Sequence, residues 1–277
     1  RVCAKVALLF DMTLTWLIDW NSPSRDVSYR DAVTAFYRPL YEGNVPVDVV
    51  HPLSDLSRYD IVVAPMLYMF EEDVPERLRR FVEQGGKLVA SYGTGMVNGC
   101  DVVEYGGFLR PIDDVFGITV EEWDALEPDM SNRISWEGGI DGRDNTSPTS
   151  YGVVKWAEVV RLKGAESLAV FEEDYHAGQP AVTRHRYGRG EAYYVATHPE
   201  GAFLRELLLD ICRSHGVLPL GERVPEGVEV TVREDGDERY RFVLNHNPDA
   251  VDFELADAGG VFDWISGRRL EDDRIRL

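Results

Sequence analysis

Between Lys5 and Ile118, strand-like and helix-like stretches alternate, and nothing else in the chain constrains its fold as much. Lys5 to Phe10 (KVALLF) is uninterruptedly apolar, as a strand covered on both faces must be. Tyr29 to Glu42 sets Ala32, Ala35, Phe36, Leu40 and Tyr41 at helical spacing and stops at Gly43-Asn44. Val47 to Val50 and Ile61 to Ala64 read as strands. Val74 to Gln84 reads as an amphipathic helix with Pro75 in its first turn, where a missing N–H costs least. Lys87 to Ser91 reads as the next strand. Strands joined through helices need crossover connections, which leave neighbours parallel. The expected fold class is α/β, a mostly parallel sheet with helices on both faces.

Beyond Ser91 the pattern loosens. Tyr92 to Ser150 reads as loop-rich, with a short helix near Phe108 to Phe116, a strand near Thr119 to Trp123 and an exposed excursion from Ser131 to Ser150. Strands resume at Leu168 to Phe171, Ala181 to Tyr187 and Glu191 to Ala196, followed by a helix from Ala202 to His215. After Pro219 to Pro225 only short strand patterns remain. Two domains are expected, 1–218 as the α/β unit and 219–277 as a small antiparallel β domain docked on it.

The 277 residues carry 29 basic and 49 acidic side chains, a net charge of −20. That sign repels nucleic-acid phosphates and anionic membrane surfaces, so neither is an expected partner. No apolar run approaches the roughly 18 residues of a membrane span. The chain opens at Arg1 without a signal-peptide pattern, as a piece of a longer polypeptide would. Cys3, Cys100 and Cys212 are too far apart for a disulfide framework or a zinc motif and fit a reducing cytoplasm. No cofactor motif is present.

Chemistry in such a fold belongs on loops after the strands. Gly93-Thr94-Gly95 follows one strand, and His198-Pro199-Glu200 follows another. A nucleophile at a strand-to-helix elbow with a later His and acid resembles class I glutamine amidotransferases, which share a flavodoxin-like sheet and often carry His-Pro-Glu. This chain departs from them by having Thr94 where the family has cysteine. Cys100 lies six residues on, and Ala64 to Tyr68 lacks the glycine-rich oxyanion loop. Thr94, His198 and Glu200 are therefore catalytic candidates only in an alternative reading, and turn residues on a shared fold are the simpler one.

Glu172-Glu173-Asp174 with His176 offers metal-binding groups in what reads as an exposed turn. Glu71-Glu72-Asp73 reads as charge favouring a helix N-terminus. His185 alternates with Arg184 and Arg186 on one strand, which fits a solvated face or a partner contact. Trp16 and Trp20 lie in an aromatic loop after the first strand. They are either core or, with Leu17 and Ile18, an interface to a missing domain or to another subunit; stacking of a small sugar on them is a further alternative.

Longer segments resemble one family more specifically. KVALLFD (Lys5 to Asp11), Tyr37-Arg38-Pro39-Leu40, VPVDVVHPLSDLSRYDIVVAPMLY (Val45 to Tyr68), GGKLVASYGTG (Gly85 to Gly95) and AVTRHRYGRGEAYYVAT (Ala181 to Thr197) look like the trimerisation domain of glycoside hydrolase family 42 β-galactosidases. FVLNHNPDAVDFEL (Phe242 to Leu255) looks like that family's C-terminal β domain. The resemblance implies an oligomerisation and scaffolding piece without catalytic residues, partnered by its own copies in a homotrimer and by a catalytic barrel. It also implies a parent enzyme that cleaves terminal β-D-galactosides by a retaining two-glutamate mechanism. Those glutamates belong to a (β/α)₈ barrel of about 250 residues, which this chain has no room for.

Overall fold

A computed structural model describes residues 4–21, 24, 26–71, 73–103, 105–136, 139, 149–221, 224–254, 262–269 and 274–277. The chain begins with β1 (Val6–Leu9), α1 (Met12–Asn21), α2 (Tyr29–Glu42), β2 (Val47–Val50), β3 (Ile61–Ala64), β4 (Met69–Phe70), α3 (Val74–Glu83), β5 (Lys87–Ser91) and β6 (Val97–Asn98). A 3₁₀ turn at Arg110–Ile112 leads into α4 (Asp113–Phe116). Then follow β7 (Ile118–Asp124), β8 (Asn132–Trp136), β9 (Thr149–Leu162), β10 (Glu166–Phe171), β11 (Pro180–Tyr187), β12 (Gly190–Val195), β13 (Thr197–Pro199) and α5 (Gly201–Ser214). The last strands are β14 (Val228–Asp235), β15 (Glu238–Asn245), β16 (Asp252–Glu254), β17 (Phe262–Asp263), β18 (Arg268–Arg269) and β19 (Arg274–Arg276).

One sheet organises the molecule. Its parallel part runs β2-β1-β3-β5-β12. From β12 it continues antiparallel through β11, β10, β8 and β9 to β13, with β7 also paired to β9. Because β13 starts two residues after β12 ends, this antiparallel path returns to the strand it left.

Of the parallel strands, β1, β3, β5 and β12 are buried on both faces because successive side chains alternate between two cores, while the end strand β2 is half-exposed. Ala7, Leu9, Val62, Ala64, Leu88, Ala90 and Tyr194 face one core with α1, α3 and α4. Val6, Leu8, Ile61, Val63, Val89, Tyr193 and Val195 face the other with the C-terminal half of α2 and with α5. α5 holds its side with Phe203, Leu204, Leu207, Leu208 and Ile211, the i, i+1, i+4, i+5, i+8 stripe of an amphipathic helix. Each such fully buried side chain stabilises the fold by roughly 1.5–3 kcal/mol. Gly190 is required where β12 begins: a Cβ there would lie 2.2 Å from the Gly86 carbonyl oxygen.

Two segments differ from their sequence reading. The aromatic loop after β1 is the helix α1, started by Asp11, whose Oδ1 accepts the Thr13 N–H at 2.8 Å. α1 buries Leu14, Thr15 and Ile18 yet exposes Met12, Trp16 and Trp20; apolar on both sides, it has no hydrophobic stripe to read. The loop-rich stretch also contains β8 and the start of β9, 14 residues long. Residues 137–138 and 140–148 of the expected excursion lie outside the described residues.

The C-terminal strands dock on the α/β unit through Asn44. Its backbone carbonyl accepts the Leu220 N–H at 2.9 Å and its Oδ1 accepts the Val230 N–H at 2.7 Å. Its Nδ2 donates to the Val228 carbonyl at 3.3 Å.

Candidate functional site

The groups singled out from sequence as catalytic gather at the carboxyl edge of the parallel strands, after β5 and β12. They do not form a catalytic chain. The turn after β5 takes its left-handed residues at Gly93 (φ 68°) and Gly95 (φ 65°), so the strained elbow position carries no side chain. Thr94 between them is buried, and its Oγ1 donates to the Ser91 carbonyl at 2.6 Å. His198 instead shares a hydrogen bond between its Nδ1 and the Tyr92 hydroxyl at 2.7 Å. Glu200 donates its backbone N–H to the Gly152 carbonyl and leads into α5, its side chain exposed. Among the described residues no hydrogen bond joins Thr94, His198 and Glu200. Cys100 is exposed and Cys212 buried, both unpaired; Cys3 lies outside the described residues.

The centre of this region is a residue that sequence reasoning missed. Glu158 on β9 is fully buried. Its Oε1 accepts the Gly93 N–H at 2.8 Å and the Trp156 indole N–H at 3.1 Å, and its Oε2 accepts the Tyr194 hydroxyl at 2.7 Å. A carboxylate thus occupies the turn N–H that an oxyanion would need. Burial pushes the Glu158 carboxyl up to about 7, against the lowering effect of its three donors. Burial, helped by the Lys155 charge, lowers His198 to about 4, which keeps its imidazole neutral. Trp156 stacks on Trp123 with centroids 5.0 Å apart and touches Tyr92 at 5.8 Å, filling the space around the turn with rings. The missing sequence signal was β9 itself: without that strand, Glu158 reads as an ordinary surface acid.

The other candidates also settle into structural roles. His176 is buried between Phe171 and Tyr175, and burial lowers its pKa. Glu172 accepts from the Ser150 hydroxyl at 2.6 Å instead of joining His176 on a metal. His185 is half-buried over Gly117, its Nδ1 bonded to the Val115 carbonyl at 2.9 Å, so its ring is an internal contact with α4.

Among the described residues, one set of side chains has the composition of a metal site. Asp11, His51 and Glu71 follow β1, β2 and β4, with ligand atoms all within 4.8 Å of one another. Glu71, read from sequence as helix-capping charge, therefore faces this cluster; Glu72 lies outside the described residues. His51 Nδ1 accepts the Leu53 N–H at 3.2 Å, so a neutral ring carries its proton on Nε2, toward Asp11 Oδ2 at 3.6 Å. A metal would need that nitrogen bare. The arrangement fits a polar contact between a neutral imidazole and two carboxylates better than a cation site.

The remaining feature of the region is apolar. On α1, Met12, Trp16 and Trp20 are 47%, 61% and 87% exposed, with Leu17 half-buried. Ile18, expected at an interface, is 1% exposed and belongs to the core, so it leaves that set.

Residues 4–218 match the family described as "Beta-galactosidase trimerisation domain" and residues 227–277 the "Beta-galactosidase C-terminal domain". The chain is 38% identical over 278 aligned residues to β-galactosidase BgaB of Geobacillus sp. (strain Y412MC61), covering 100% of the chain and 40% of the relative. Its structure resembles the crystal structure of β-galactosidase from Bacillus circulans sp. alkalophilus (TM-score 0.91, 35% identity, covering 100% of the chain and 40% of that protein). It also resembles the β-galactosidase of the Antarctic haloarchaeon Halorubrum lacusprofundi (TM-score 0.81, 26% identity, 99% and 38% covered). The chain thus spans about 40% of the length of such relatives.

Proposed function

The chain belongs to the glycoside hydrolase family 42 β-galactosidases, as their trimerisation and C-terminal domains, and on that premise we propose that it assembles and braces the subunits of such an enzyme. The observation that carries this reading is the family match across residues 4–218. The carboxyl-edge geometry supports it: Glu158 takes the turn N–H, Gly93 offers no nucleophile, and His198 is tied to Tyr92. In the same reading the whole polypeptide cleaves β-galactosides on a separate barrel, three copies form a closed ring, and the setting is cytoplasmic. Two unpaired cysteines fit a reducing compartment, and among the described residues no helix is long and apolar enough to cross a membrane.

The test is the solution mass of the 277-residue chain together with its activity. The expected mass is near 94 kDa, three times 31.3 kDa, with no release of nitrophenol from a nitrophenyl β-galactoside. Robust hydrolysis by this chain would overturn the scaffolding role.

A further inference from the structure

Trimerisation leaves open which surface meets the neighbouring copy. We propose that the outer face of α1, with the neighbouring side chains of Val102, Val103 and Tyr105, is the patch by which one copy of this chain docks on the next. This assignment rests on the trimer reading above.

Two separate segments form the patch. Met12, Trp16 and Trp20 recur every four residues and share one side of α1. Val102, Val103 and Tyr105 are 57%, 51% and 100% exposed. Asn21, at the end of α1, donates its Nδ2 to Asp101 Oδ2 at 2.8 Å, which brings the two segments side by side. An aromatic side chain presents ~150–250 Å², so the exposed parts of Trp16, Trp20 and Tyr105, with smaller shares from Met12, Val102 and Val103, present on the order of 500 Å². That is the size of the largest apolar patch on a typical monomer, which is often a functional one, and more than half of one partner's share, about 800 Å², of a standard interface. Its composition is that of a binding hot spot, with two tryptophans and a tyrosine.

The occupant follows from three further observations. The patch lies within residues 4–218, the part matching a trimerisation domain. The rival apolar surface, at Phe262, Trp264 and Ile265, lies in the part matching the C-terminal domain. A chain of net charge −20 repels its own copies, so they approach most readily through a face with few charges. Here Asp19 is the one ionisable group on α1, and the second segment adds Asp101, bonded to Asn21, and Glu104 between Val103 and Tyr105 in the sequence. In a closed ring of three each junction is head-to-tail, so every junction contains this patch once. A single change therefore weakens all three.

The test compares the wild-type chain with Trp16→Glu/Trp20→Glu, using Trp264→Glu/Ile265→Glu as a control, by light scattering over a dilution series. The expected result is a trimer mass for wild type and control. The α1 variant should show a monomer mass with an unchanged circular dichroism spectrum, its dissociation constant raised about 100-fold or more. A folded α1 variant that stays trimeric overturns the patch and leaves the trimer reading standing. A wild-type chain that is monomeric at every concentration overturns both. If the α1 variant does not fold, oxidative footprinting of the wild-type chain decides. Protection of Trp16 and Trp20 in the trimer relative to the diluted chain supports the patch, and equal oxidation overturns it.

Discussion

Glu158 and His198 lie on either side of the Tyr92-Gly93 turn, and burial moves their titrations in opposite directions. Glu158 rises from 4.5 to about 7, so the folded chain holds its proton more tightly than the unfolded one. The stability this contributes is fully present below pH 4.5 and is lost as pH rises through 7. His198 falls from 6.5 to about 4. Its contribution is present above pH 6.5 and is lost as pH falls through 4. The two windows overlap, and the two effects offset each other in the wild-type chain. Glu158→Gln keeps the shape and removes one of them. Relative to wild type, the variant should gain on the order of 3 kcal/mol between pH 4.5 and 7.5, the difference between 7 and 4.5 at 1.36 kcal/mol per pH unit. Urea midpoints at both pH values measure this, and a wild-type-to-variant gap that does not change with pH would exclude Glu158 as a titrating group. His198→Gln should shift the balance the other way, with stability falling as pH rises.

At the scale of elements, Asn44 is the joint between the two parts of the chain. It sits at φ 54°, a left-handed conformation asparagine tolerates better than most residues, and its side chain spans to β14 at both Val228 and Val230. Asn44→Ala removes two hydrogen bonds and adds backbone strain, a cost of about 2–3 kcal/mol. With the domain boundary we propose at 218/219, limited proteolysis of this variant should release the C-terminal strands several-fold faster than in wild type. Equal rates would mean that the docking does not depend on this residue. Which elements were legible beforehand follows from what each one buries. α2, β2, β3 and β5 were readable to the residue, because each carries one pattern: an apolar stripe ended by Gly43-Asn44, a short run buried on both faces, or, in the half-exposed β2, a valine-rich run after Pro46. α1 was not, because its exposed tryptophans erase the contrast between its faces. β9 was not, because its burial pattern is irregular and Lys155 interrupts it at φ 67°. The loss of β9 hid Glu158, and with it the reason that Thr94 and His198 do not form a site.

The whole molecule is dominated by its charge. In the trimer we propose, three copies at −20 each approach against their own repulsion, and dissolved salt screens exposed charges beyond about 10 Å at 0.1 M. The trimer is therefore expected to strengthen as salt rises from about 0.02 M to 0.5 M. Sedimentation across that range checks this, and a trimer that weakens with salt would place ion pairs rather than apolar contacts at its centre. The route of the large sheet has another consequence at this scale. Its antiparallel path turns back on itself at β13, so among the described residues β2 is the one end of the parallel run that meets no further strand. Pro46, Val47 and Asp48 along that end look across a cleft at Val230, Thr231 and Val232 of the C-terminal strands. A bare strand edge invites chains to add to one another without limit, and Pro46 and a neighbouring domain are two ways of blunting it. The small β domain then acts as a stopper: it lies beside this end of the parallel run and hinders another chain from adding a strand to it.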